Sequence, residues 1–75
     1  MDSKFIELVA SVLEIAPDSL NEQSNTENTP EWDSLLHWEL ISEIESTYNI
    51  KFTMAEAADF KNLGEIYTAL QNKLS

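Results

Sequence analysis

The apolar positions of this chain recur at helical spacing. Phe5, Leu8, Val9, Val12 and Leu13 fall at i, i+3, i+4, i+7 and i+8, a single apolar stripe that predicts a helix over residues 3 to 15. Asp2 or Ser3 can cap its start, and Pro17 stops it for want of an N–H. Residues 16 to 33 break the pattern. They are rich in Asn, Gln, Ser, Thr and Glu, and Leu20, the one large aliphatic residue among them, is expected to pin this stretch to the core. Loops beyond about 12 to 15 residues are uncommon in compact domains and are often functional.

Periodicity returns at residue 34 and predicts a second helix over 34 to 48. Leu40, Ile41, Ile44 and Tyr48 cluster on one side of its wheel, with Glu39, Ser42, Glu43 and Ser46 on the other. Leu35 and Trp38 sit one turn apart and outside the apolar cluster, which makes them a docking patch in prospect. Asn49 suits a left-handed helix end. Ile50-Lys51-Phe52 reads as a short extended link. Thr53 and Glu56 have capping-box spacing and open a short helix over 54 to 60. Asn62 caps a last helix whose stripe is Leu63, Ile66, Tyr67, Leu70 and Leu74. The sum is an all-α fold: a small four-helix bundle of three longer helices and one short one, with a long loop between the first two.

Size and charge narrow the function. Residues 1–75 are expected to form one domain. A domain this small buries only roughly 60% of its unfolded surface. There is no cysteine, so neither a disulfide nor a thiolate metal site can staple it. Fourteen Asp and Glu stand against four Lys, for a formal net charge of −10. Such a surface is a poor partner for nucleic acid or anionic membranes and a natural one for a basic patch on another protein. It also serves simply to keep a small domain soluble. No apolar stretch approaches the roughly 20 residues of a membrane span, and no signal peptide is visible, so a cytoplasmic protein is expected. Met1 at the start and a helix running to Ser75 give the expectation of a free-standing chain.

Catalytic chemistry has little to work with. His37 is the only imidazole, and it falls near the middle of the second helix's apolar arc, where a packing residue or pocket wall is the simplest reading. A Ser34–His37 pair lacks an oxyanion hole and an orienting third group. The carboxylates are scattered, with no calcium-loop spacing, and the single glycine, Gly64, rules out a glycine-rich phosphate loop. An enzyme is not expected. Ser34 remains. With Asp33 as cap, the pair is a common helix start. The same geometry would also suit a phosphate ester on Ser34, beside unpaired amides and the positive end of the helix dipole, placed there by another enzyme.

Asp33-Ser34-Leu35, Glu39-Leu40, Ile44-Glu45, Tyr48 and Ile50 together resemble the D-S-L-x-x-x-E-L-x-x-x-L-E-x-x-F-x-I run of the acyl carrier protein family, which includes peptidyl and other carrier domains. The helix order and length extend the resemblance to essentially the whole chain. It implies a fold of acyl-carrier type and a phosphopantetheine arm, derived from coenzyme A, on Ser34. Asp33 would support the transfer, by helping to hold the transferase's metal ion. Leu35 and Trp38, with the acidic Glu39 and Glu45, match positions that dock partner enzymes. Leu40, Ile44 and Tyr48 match core positions around the acyl chain. The implied partners are a phosphopantetheinyl transferase, an acyl- or aminoacyl-loading ligase, and a downstream acyltransferase or synthase with a basic docking patch; the carrier itself is expected to be a monomer. Leu36, His37, Trp38, Ser42 and the preceding Glu31-Trp32 depart from fatty-acid carriers. This W-D-S-L version resembles discrete carriers of surface-polysaccharide or specialised-metabolite pathways. An unmodified acidic docking module with a degenerate carrier fold is the alternative.

Overall fold

The computed structural model describes residues 1–75. Its first helix, α1, spans Ser3–Leu13 and opens on Asp2, whose carboxylate Oδ1 accepts from Phe5 N at 2.9 Å. The helix ends two residues earlier than its pattern suggests, and Pro17 does not stop it. Glu14 turns left-handed at φ 58° and ψ 46°, and Ile15 N returns to Ala10 O at 3.0 Å. That is a Schellman closure, made here without the usual glycine. Pro17 instead starts a 3-10 turn, Pro17–Ser19, a first position where its missing N–H costs nothing.

The long loop is held at two points and organised between them. Leu20 is buried in the core as expected, and Trp32 joins it, only 3% exposed. Asn21 Oδ1 accepts from Gln23 N, and Asn25 Oδ1 accepts from the amides of Glu27 and Asn28. Asn and Asp side chains fold back on the chain in this way at turns. The loop also docks on the start of the last helix: Leu63 N donates to Ser24 O at 2.8 Å, and Gly64 N to Glu22 O at 2.9 Å. A Cβ at position 64 would stand 3.1 Å from Glu22 O, so the one glycine is what lets the two backbones approach.

Helix α2 spans Ser34–Tyr48, as its pattern predicts, and ends on left-handed Asn49. A third helix, α3, spans Met54–Asp59 inside the expected capping box: Thr53 Oγ1 accepts from Glu56 N, and Glu56 Oε1 accepts from Thr53 N. Phe60, expected within α3, is extended and lies beyond it. Helix α4 spans Leu63–Leu74, and Asn62 Oδ1 accepts from Glu65 N. No strand forms. Phe5, Val9 and Leu13 of α1 meet Leu40 and Ile44 of α2 and Leu63, Ile66 and Leu70 of α4 in one core. Tyr48 lies at its margin. Leu74, placed on the apolar stripe by its spacing, is instead exposed, one turn past the last core residue of α4. Short α3 contributes Ala57 to the buried set and lies over one side of the bundle.

Candidate functional site at the start of the second helix

Asp33 is extended, with φ −101° and ψ −179°, and its Oδ1 accepts from Leu36 N at 2.9 Å. His37 N is taken by Asp33 O at 2.9 Å. Ser34 is the first residue of α2 and is exposed. The local sequence produces this directly: a capping aspartate fixes where the helix begins, so the next side chain projects from its first turn. First-turn amides lack intrahelical partners and favour a negative group, so the residues present fit a phosphate ester at Ser34.

Beside Ser34 lies a groove of about 280 Å³, walled by Trp32, His37, Trp38 and Phe60, with Lys61 and Ala58 among its lining residues. Trp32 Nε1–H donates to His37 Nδ1 at 3.2 Å, and the two rings stack 5.9 Å apart. His37 Nε2 lies 2.7 Å from Ala57 O. A carbonyl only accepts and an indole N–H only donates, so in this arrangement Nδ1 accepts and Nε2–H donates. Both ring nitrogens are therefore occupied, and neither is free to serve Ser34 as a base. His37 is the groove wall that its place on α2 suggests.

The remaining residues singled out from the sequence spread over the adjoining surface. Leu35 is 77% exposed and Trp38 41%, so both stand off the core. Glu39 is exposed. Glu45 is half-buried, and its Oε2 accepts from Phe52 N at 2.8 Å, which ties α2 to the extended link. Trp38 is a ridge between two grooves. The second, of about 210 Å³, is lined by Ile41, Glu45, Phe52, Met54 and Ala57. Met54 is 77% exposed and extends the apolar patch from α2 onto α3. Sequence reasoning did not single it out. The available sign is a large apolar residue at the first position of a helix whose buried residue is Ala57. The largest depression, about 650 Å³, lies between Glu22 and the α3–α4 face and holds none of these residues. No three acidic or imidazole side chains converge as a metal site.

Tyr48 carries the one buried side-chain polar atom without a partner, its hydroxyl. Burial raises its pKa, and Asp2 and Tyr67 raise it further. Lys4 Nζ lies 4.9 Å from its ring centre.

Ser34 is thus an exposed serine at a capped helix start, with an apolar and acidic surface beside it. The chain matches the family model of the phosphopantetheine attachment site over residues 3–70. It belongs to that family of carrier proteins, which hold a covalently bound phosphopantetheine group and are not themselves catalysts. No match was found among curated proteins.

Proposed function

We propose that Ser34 is the attachment residue and that the chain, as a single domain, carries acyl or aminoacyl groups and presents them to partner enzymes. The arm supplies a thiol, which this cysteine-free chain lacks, to bear the group as a thioester. The observation that carries the reading is the placement of Ser34: exposed, first in α2, and set beside a groove by the Asp33 cap. The hydroxyl has no base within the chain, so its proton leaves to the transferase as the phosphoester bond forms and the nucleotide part of coenzyme A departs. Asp33 supports that transfer through the carboxylate oxygen not used in the cap.

Leu35, Trp38 and Met54 form the apolar part of the docking surface. Glu39 and the free oxygen of Glu45 meet basic groups on the transferase, the loading ligase and the downstream acyltransferase or synthase. The departures around Ser34, namely Trp32, Leu36, His37 and Trp38, favour a specialised pathway, such as surface polysaccharide or secondary metabolite synthesis, over bulk fatty acid synthesis. A cytoplasmic location suits those partners, and no helix is long and apolar enough to cross a membrane.

The test is the intact mass after incubation with coenzyme A and a broad-specificity phosphopantetheinyl transferase, with Ser34→Ala alongside. One added phosphopantetheine on the native chain and none on the variant is expected. A folded native chain that gains no mass would turn the reading toward an unmodified docking module. The variant should remain folded, since an exposed Ser→Ala change costs within about 0.5 kcal/mol.

A further inference from the structure

We propose that His37 closes the core of this carrier to long alkyl groups, so that the cargo is a short or ring-shaped acyl group held in the aromatic groove beside Ser34. The inference rests on Ser34 as the attachment residue and goes on to name the cargo class.

The groove of about 280 Å³ between α2 and α3 is the cavity that has Ser34 in its own lining. Its walls are faces and edges of Trp32, His37, Trp38 and Phe60. Aromatic walls favour a flat ring, which can stack or meet them edge-on. Lys61 at the rim offers a cation to a polar substituent or to a phosphate at Ser34. Lys61 is exposed and makes no ion pair, since the one ion pair in the molecule is Lys73–Glu56.

The way inward is shut by a polar relay. Trp32 Nε1–H donates to His37 Nδ1, and His37 Nε2–H donates to Ala57 O. The second bond joins α2 directly to α3. Parting the helices to admit a chain would break the second bond and strand the carbonyl of buried Ala57. Buried polar groups are rarely left without partners, because the full desolvation penalty then falls on them. No void waits behind the relay either. The largest fully buried side chains, Phe5, Val9, Leu13, Leu40, Ile44, Leu63, Ile66 and Leu70, line none of the cavities. A long alkyl group would have to break the relay and separate a close-packed core; a short or cyclic one needs neither.

The absence of cysteine permits a test that does not depend on any transferase. Ser34→Cys has a single thiol, which benzyl or octyl methanethiosulfonate converts to a mixed disulfide. Nitrogen–proton NMR spectra of the two conjugates are compared with the methyl conjugate. The benzyl group should shift the indole N–H signals of Trp32 and Trp38 and the amides of Phe60 and Lys61. The octyl group should leave the amides of Leu40, Ile44, Ile66 and Leu70 in place. Adding His37→Ala should let the octyl group shift those core amides, whereas His37→Gln, which keeps a donor for Ala57 O, should not. An octyl group that shifts the core amides with His37 intact would overturn the proposal, as would a benzyl group that leaves both indoles unmoved. Neither outcome requires the His37→Ala chain to fold. Arm transfer to the native chain is scored separately by mass. A chain that takes no arm loses the carrier reading and the cargo class with it, even where it holds the benzyl group. One that takes the arm and admits the octyl group to its core loses only this inference.

Discussion

Trp32 Nε1–H has one acceptor, His37 Nδ1, and that bond sets where the imidazole proton sits. The same residue closes the long loop by filling the core between Leu20 and the helices. Replacing it with alanine removes a buried aromatic and leaves His37 Nδ1 without a donor. Large-to-small changes of this kind cost about 3–5 kcal/mol. Small domains are stable by only about 5–15 kcal/mol in all, so Trp32→Ala should lose a large part of the stability, and Trp32→Phe less. Urea unfolding midpoints decide it; a Trp32→Ala chain within about 1 kcal/mol of the native one would show that the loop is held elsewhere. Burial of Leu20 could be read from the sequence because a lone aliphatic side chain in a polar stretch has few other uses. Trp32 stands in the same stretch, yet nothing in the local period shows it to be core, since its burial depends on how the loop closes. The place of Ser34 at the start of α2 was open to view because Asp33 and Ser34 are adjacent and a cap is a local device. The second partner of His37 was not: a backbone carbonyl 20 residues away has no side-chain signature.

At the level of elements, the boundaries set by neighbouring side chains follow from the sequence, and those set by backbone closure do so only in part. Asp33 and Asn49 bound α2 where expected, the first by its carboxylate and the second by its tolerance of left-handed backbone. The end of α1 differs because Glu14 adopts that same backbone, a conformation that asparagine announces and glutamate does not. Short α3 relies on its ends more than on burial. Thr53 N–H donates to Glu56 Oε1 at 2.8 Å, and Lys73 Nζ lies 3.2 Å from the same oxygen, which links α3 to α4. The Thr53 amide chiefly, then Lys73, lowers the pKa of Glu56. A carboxylate with a lowered folded-state pKa contributes stability above its unfolded value, and that contribution is lost as pH falls through the folded value. Glu56→Gln should therefore be less stable than the native chain at neutral pH, with the gap closing as the pH falls through and below the ordinary glutamate range. Denaturant midpoints across that range check it. A gap that stays constant, or widens in acid, would mean that the charge of Glu56 does not hold α3.

Across the whole molecule the acidic charges outnumber their opposites, and geometry gives little relief. Fourteen carboxylates face four lysines. One ion pair forms, and Lys4 and Lys73 also lie over the rings of Tyr48 and Phe52. The molecule measures 28 × 24 × 19 Å. The screening length is about 30 Å at 0.01 M salt and about 10 Å at 0.1 M. At the lower concentration each carboxylate thus feels nearly all the others; at the higher one it feels only its neighbours. Folding brings these charges together, so the folded state gains more from screening than the unfolded chain. The melting temperature should rise between about 0.01 M and 0.1 M sodium chloride. For a domain of this size, a gain of about 1 kcal/mol corresponds to roughly 4–8 °C. Sucrose, an uncharged osmolyte, serves as control for effects of solute alone. The same field should act in the opposite sense on docking: a basic partner surface is drawn in faster at low salt, and its association rate should fall as salt is added. A melting temperature that stays level or falls over this range would mean that the acidic surface does not strain the fold, and that its charge bears on partners alone.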